Sequence, residues 1–354
     1  MLVKYYTDIT VRDTRNMNVA PSISAGSADG DGTTVRVRVI APSSMGKPSN
    51  LEAFRRFLRD AGTAAHVDDS IYRAGADPFY ANTDRFRADD LVDALTDDST
   101  VVWCARGGEG ASRLIPYLEA LPADRKQKIR DARKTLVGYS DATALHVYLH
   151  AVYGWRTVHG TMLEMIADRT VDGGSVDALV ALVTGRSNRV RYELRPVIAA
   201  GHPDGLSLRA RVAGGNMTLV ENSLGTAFGF RGDGKIVFLE DVHVRPYSLE
   251  RSLDHMKLAG VFQGAAAVVF GSFSGSPSDE QPLTALVFQR FAATVPFPVF
   301  TVDGIGHGFV NNPLPLNTNA TVVGPTRSDD ATGTPSYTLT VDNVYDADTM
   351  TRTA

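Results

Sequence analysis

Between Val35 and His159 the chain alternates short apolar runs with segments of helical periodicity, and this alternation restricts the possible folds more than any other feature. Val35–Ala41 (VRVRVIA) alternates at a period of two and is closed by Pro42-Ser43-Ser44, which predicts a strand. Leu51–Ala61 places Leu51, Phe54, Phe57 and Leu58 on one helical face, and Asp84–Leu95 reads as a second helix. Thr100–Ala105 (TVVWCA) is almost continuously apolar, as in a strand covered on both faces. Arg106-Gly107-Gly108-Glu109-Gly110 follows, then a helix from Ser112 through Leu118. Thr135-Leu136-Val137 leads through Gly138 and Tyr139 to Ser140, after which Ala144, Leu145, Tyr148 and Leu149 recur at helical spacing. A further strand lies near Thr157. Such alternation predicts an α/β domain with a parallel sheet and helices on both faces. In these sheets the chemistry sits beyond the carboxyl ends of the strands, the edge where Arg106–Gly110 and Ser140 both fall.

The second half reads differently. Ser175–Thr184 predicts a helix with a serine cap and a Gly185 stop. Strands are expected at Arg189–Glu193 and Leu206–Val212, and Gly214-Gly215-Asn216 is expected to start a helix through Leu224. Lys235–Leu239 predicts a strand running into Glu240-Asp241, and Tyr247–Ala259 a helix with Leu249, Leu253 and Met256 on one face. Ala265–Gly271 reads as a buried strand, Pro282–Ala293 as a helix and Val299–Val302 as a strand. Short strands near Ala320–Val323 and Tyr337–Val341 complete the pattern. The expected organisation is an extension over residues 1–34 ending in the linker SAGSADGDGTT, an α/β domain over 35–175, and a β-rich domain over 190–345.

A net charge of -4 argues against nucleic acid or an anionic membrane as the main partner. Cys104 is the only cysteine, which excludes an internal disulfide, and its apolar surroundings read as core. No run of eighteen apolar residues exists, and the first sixteen residues lack the apolar stretch of a signal peptide. Together these features favour the cytoplasm.

Several residues could carry chemistry. Ser140, at a strand-to-helix corner, fits two roles: the N-cap of the helix, or a nucleophile lifted above the sheet beside the next backbone N–H. The glycines after Arg106 lack the third glycine of a dinucleotide loop, and no Gly-Lys-Ser/Thr follows. They remain either a tight turn or a source of bare N–H groups for an oxyanion. His146 and His150 have metal-ligand spacing, but no glutamate of the metalloprotease pattern lies between them, so they read as helix-face histidines. Glu240 and Asp241 compete for the edge position at the end of their strand, since neighbouring strand residues face opposite ways. His307, with Gly306 and Gly308 on either side, is either a loop hydrogen-bonder or an accessible base. The order serine, carboxylate, histidine suits a hydrolase triad, but linear order cannot bring the three together.

Nine segments in sequence supply that link by resemblance. They are Val39-Ile40-Ala41-Pro42-Ser43, Arg106-Gly107-Gly108, Arg113-Leu114-Ile115-Pro116-Tyr117-Leu118, Gly138-Tyr139-Ser140-Asp141, His159-Gly160, Gly214-Gly215-Asn216, Phe238-Leu239-Glu240-Asp241, Gly306-His307-Gly308 and Leu314-Pro315-Leu316. Over roughly residues 35–325 the chain resembles the LD-carboxypeptidase family of serine peptidases, which includes the microcin C immunity peptidases. The resemblance implies a flavodoxin-like N-terminal domain, a β-rich C-terminal domain, a site between them, and a homodimer. It implies Ser140 as nucleophile, His307 as base and Glu240 as the residue orienting the histidine. The oxyanion hole falls to the backbone N–H groups of Gly108 and Asp141. Glu109, Asn216 and Arg106 are implied to face the substrate, a small peptide, with no metal and no cofactor. The reaction implied is hydrolysis of an L,D-amide of a murein peptide through an acyl-enzyme, a step of peptidoglycan recycling. The alternatives are a microcin-type or other amidase acting on a modified peptide, and a catalytically silent binding protein on the same fold. The sequence departs from the family in four places. Glu109 replaces an aromatic residue, Thr161 a proline, and Val244-Arg245 an acidic pair. No tryptophan lies between Thr161 and Ala213, where the microcin branch carries a nucleotide-stacking loop. Arg106, Arg113 and Arg245 are candidates for gripping a substrate carboxylate, with Arg113 read rather as a surface residue.

Overall fold

The computed structural model describes residues 34–197, 205–275, 277, 280–326 and 336–345, so all but Thr34 of the expected N-terminal extension lies outside the described residues. Its first half comprises β1 (Arg36–Ile40), α1 (Leu51–Asp60), β2 (Ala64–His66), α2 (Asp84–Thr96), β3 (Val101–Cys104), α3 (Ile115–Glu119) and α4 (Ala123–Ala132). There follow β4 (Thr135–Gly138), α5 (Thr143–Tyr153), β5 (Thr157–His159), α6 (Leu163–Ala167) and α7 (Gly173–Val183). Five strands pair in parallel in the order β2-β1-β3-β4-β5.

The apolar runs are explained by burial on two sides. Val102 and Cys104 of β3 pack with Leu91 and Leu95 of α2 and Leu145 of α5. Val101 and Trp103 pack into a second core with Phe54 and Leu58 of α1 and Leu179 of α7. A strand covered this way leaves no polar alternation to read. The helix expected from Ser112 is instead a tight turn, Ala111–Leu114, followed by α3. Ser175 is not a cap: α7 starts at Gly173, and the Asp172 carboxylate caps it by accepting the Ser175 N–H at 3.0 Å.

The second half comprises β6 (Arg189–Pro196), β7 (Leu206–Asn216), α8 (Met217–Asn222), β8 (Lys235–Val242), α9 (Pro246–Leu258) and β9 (Ala267–Ser274). It continues with α10 (Gln281–Ala292), β10 (Val299–Val302), β11 (Leu314–Leu316), β12 (Thr318–Thr326) and β13 (Ser336–Asp342). Seven strands close into a barrel in the order β10-β6-β13-β12-β7-β8-β9. Inward positions such as Val190, Tyr192, Phe238, Val269, Phe300 and Leu339 form one core. Val237, Leu239, Val268 and Phe270, at the alternate positions, pack outward against α8, α9 and α10.

One expectation needs correction here, and two features extend the reading. Gly214-Gly215-Asn216 does not open a helix; it finishes β7, and Asn216 caps α8 by accepting the Leu219 N–H. The strand from Lys235 runs on through Glu240 and Asp241 to Val242. Leu314–Leu316 crosses back from the second half to pair antiparallel with β5, adding a sixth strand to the first sheet. Pro315 is tolerated there because β11 is an edge strand. Gly215 shows how closely the halves meet: a Cβ on it would lie 2.7 Å from Thr143 Oγ1 at the start of α5. Among the described residues no helix is long and apolar enough to cross a membrane.

Candidate active site

β4 ends at Gly138, where a Cβ would come within 2.9 Å of Ala142 Cβ, so the turn can close this tightly only on a glycine. Ser140 then takes φ +58, a left-handed conformation uncommon for a residue with a Cβ. Its hydroxyl makes no capping bond to the helix that follows. That removes the N-cap reading and leaves a half-exposed hydroxyl at a strained corner, an arrangement that persists where surrounding structure enforces it. Gly107 lies directly against it: a Cβ there would sit 3.1 Å from Ser140 Cβ and 3.4 Å from Oγ. The backbone N–H groups of Gly108 and Asp141 donate to no acceptor among the described residues.

Across the seam, the Glu240 carboxylate on β8 accepts a hydrogen bond from His307 Nδ1 at 2.6 Å. Glu240 is fully buried, while the His307 side chain is 13 % exposed. A register shift between β8 and β9 brackets Glu240, as bulges often do beside sites where a side chain must be re-aimed. The bulged segment supplies Ser272, whose Oγ accepts the His307 N–H at 3.1 Å. Asn311 Oδ1 accepts the Gly306 N–H at 3.1 Å, fixing the loop from its other side. Gly306 has φ +132, and a Cβ on it would fall 2.9 Å from Glu240 Oε2. Asp241 faces the opposite way, accepting from Asn216 Nδ2 (2.9 Å), Thr218 N (3.0 Å) and Thr218 Oγ1 (2.7 Å). Glu240, not Asp241, is therefore the acid at the histidine.

Burial pushes the Glu240 carboxyl above its ordinary range, against the pull of His307. Burial also opposes charge on His307, but the hydrogen bond and negative charge of Glu240 together outweigh it and raise the ring's pKa. The residue next to Ser140 lies against this pair: the Tyr139 ring stands 4.8 Å from that of His307, centroid to centroid. No hydrogen bond joins Ser140 directly to His307. In unliganded sites such bonds are often long and tighten when substrate binds.

The other candidates are placed as follows. Burial raises the Asp141 carboxyl and the charge of exposed Glu109 adds to it, so Glu109 stands close to the Ser140 turn. Arg106 is exposed and donates to the Met45 carbonyl at 2.6 Å. Asn216 is buried, with both ends of its amide committed to the protein. Arg113 grips Asp84 through Nε (2.9 Å) and Nη2 (2.6 Å), and Arg245 pairs with Glu280. Neither is left open for a carboxylate. His146 and His150 are core anchors: their Nε2 atoms bond the Gly138 carbonyl (2.9 Å) and Thr157 Oγ1 (2.8 Å). No group of three or more metal-ligating side chains occurs among the described residues. Cys104 is fully buried, and burial pushes its thiol up, away from the reactive thiolate. Ser44, Tyr139, Ser272 and Asn311 also shape the site; nothing in their spacing marks them, because the first three act through contacts distant in sequence and Asn311 through the loop it closes.

The family model for the LD-carboxypeptidase N-terminal domain matches residues 37–160, and that for the C-terminal domain matches residues 209–322. The chain belongs to the LD-carboxypeptidase family. This LD-carboxypeptidase is 34% identical over 304 residues to a Rickettsia conorii protein assigned as a carboxypeptidase, covering 85% of this chain and 92% of the relative. It is 29% identical over 306 residues to the murein tetrapeptide carboxypeptidase of Pseudomonas aeruginosa, covering 82% and 93%. The crystal structure of muramoyltetrapeptide carboxypeptidase from Oxalobacter formigenes superposes with a TM-score of 0.71 over 87% of this chain and 99% of that one. At 23% identity that likeness speaks for the fold alone.

Proposed function

We propose that this LD-carboxypeptidase is a serine peptidase that hydrolyses an L,D-amide at the C-terminus of a murein peptide, releasing the terminal residue. The observation that carries the mechanism is the 2.6 Å bond from His307 to buried Glu240, held beside the turn that strains Ser140. The names of the murein-peptide relatives support the substrate class.

His307 Nε2 takes the Ser140 proton as the hydroxyl attacks the scissile carbonyl. Glu240 holds the ring with its proton on Nδ1 and balances the imidazolium that forms. The negative oxygen of the tetrahedral adduct is received by the free N–H groups of Gly108 and Asp141. His307 returns the proton to the leaving amine, and an ester to Ser140 remains. Water, deprotonated by the same ring, then hydrolyses that ester. Glu109 sets a negative charge close to the Ser140 turn, so the substrate group it meets is cationic or an amide rather than a carboxylate. A microcin-type substrate is disfavoured, since residues 161–213 offer no tryptophan to stack on a nucleobase.

The strand order 2-1-3-4-5 supports a flavodoxin-like first domain over about residues 35–175. A second domain spans about 190–345, with the site between the two. We further propose a cytoplasmic homodimer acting in peptidoglycan recycling. Incubation of the purified protein with a murein tetrapeptide tests the reading: the product should be lighter by one alanine, and Ser140→Ala should leave the tetrapeptide intact. An unchanged tetrapeptide with the wild-type protein would remove the substrate assignment.

A further inference from the structure

The loop after β1 carries a residue with a defined task in the same reaction. Ser44 donates its backbone N–H to the Gly107 carbonyl at 3.3 Å, and its Oγ accepts the Glu109 N–H at 3.1 Å. One residue thereby pins the peptide planes on both sides of Gly108. A trans peptide is planar, so its carbonyl and N–H point in opposite directions. Holding the Gly107 carbonyl towards Ser44 aims the Gly108 N–H away from it, and that N–H has no acceptor among the described residues. Gly108 sits at φ +110, and a Cβ on it would lie 2.4 Å from Ser44 Oγ, so Ser44 also explains the glycine.

Ser44 is itself firmly held. Ala81 N–H donates to the Ser43 carbonyl at 2.9 Å, and Arg106 Nη1 to the Met45 carbonyl at 2.6 Å. The Lys47 N–H donates to buried Glu164 at 2.9 Å, and Arg87 to the Pro42 carbonyl. A post braced on both sides keeps the donor peptide from rotating as charge builds on the substrate oxygen, which is what pre-organised stabilisation needs.

We propose that Ser44 is a positioning residue that fixes the Gly108 N–H in its oxyanion-binding direction; this rests on Ser140 being the nucleophile. In this role Ser44 acts through the peptide planes around Gly108. The test compares Ser44→Ala and Ser44→Cys with wild type on a murein tetrapeptide, with Ser140→Ala in parallel. Cysteine keeps the shape but is a weak acceptor, which guards against a folding defect in the alanine variant. Both variants should lose about 10- to 100-fold in kcat, less than the loss of a whole oxyanion donor, with KM within about threefold. Affinity for a peptide boronic acid, which binds as a tetrahedral adduct, should fall by a similar factor, and Tm should hold. Wild-type kcat and boronate affinity in both variants, with Ser140→Ala inactive, would overturn the role of Ser44 and leave the nucleophile standing. Wild-type turnover by Ser140→Ala would overturn both.

Discussion

Replacing Glu240 by glutamine isolates charge from shape at the centre of the site. The carboxylate is fully buried and accepts from His307 Nδ1 at 2.6 Å, so the isosteric amide must occupy the same space. If its oxygen faces the ring, the hydrogen bond survives without the negative charge that balances the imidazolium. If its NH2 faces the ring, Nδ1 must accept, the proton moves to Nε2, and the ring cannot take the Ser140 proton. Loss of a triad carboxylate by amide replacement costs up to about 10⁴ in kcat. We expect a loss of about 10²–10⁴ for Glu240→Gln, which is about 3–5 kcal/mol at 1.36 kcal/mol per decade. The pH profile gives a second readout. His307 works as a base when neutral, so kcat/KM rises with pH through its pKa. Glu240 raises that pKa against the opposing effect of burial. The acid limb should therefore lie above the ordinary histidine value of about 6.5 in the wild type and move to lower pH in Glu240→Gln. Stopped or continuous assays of alanine release across pH, with Tm as a folding control, measure both effects. A folded variant with kcat within about threefold of wild type and an unmoved acid limb would refute the role given to Glu240.

Gly107→Ala places a methyl 3.4 Å from Ser140 Oγ at a backbone conformation other residues accept; kcat should fall about tenfold or more while thermal unfolding moves little. Asp241→Ala removes two hydrogen bonds from Thr218 at the start of α8 and one from Asn216 at the end of β7, and it deprives the buried Asn216 amide of its acceptor. Denaturant titration should show a loss of about 2–4 kcal/mol. Arg113→Ala breaks a largely exposed pair with Asp84 and a cation–π contact with Tyr80, so steady-state kinetics should give an unchanged KM and stability should drop by no more than about 1 kcal/mol; a large KM increase would return Arg113 to the substrate.

The sequence was most legible where burial is uniform. The β3 and β4 runs and the apolar faces of α1 and α5 follow directly from sheets and helices that bury what they present. β2 escaped because all three of its residues are exposed, and α4 because only Ile129 of its ten residues is buried. β8 extends further than its apolar letters because Glu240 and Asp241 are buried by partners remote in sequence. At the site, glycines marked the places where backbone must turn or close up, and they drew attention to Gly108 and His307. The left-handed conformation of Ser140 and the clamp made by Ser44 have no such marker. Both are consequences of tertiary contacts, which no local pattern encodes.

Whether Ser140 is the attacking group is tested most directly by treating the wild-type protein with a fluorophosphonate and mapping the adduct by peptide mass spectrometry. A single modification on Ser140, lost in Ser140→Ala and strongly slowed in His307→Ala, is the expected result. Turnover of peptide with Ser140 unmodified, or an adduct on another side chain, would contradict it.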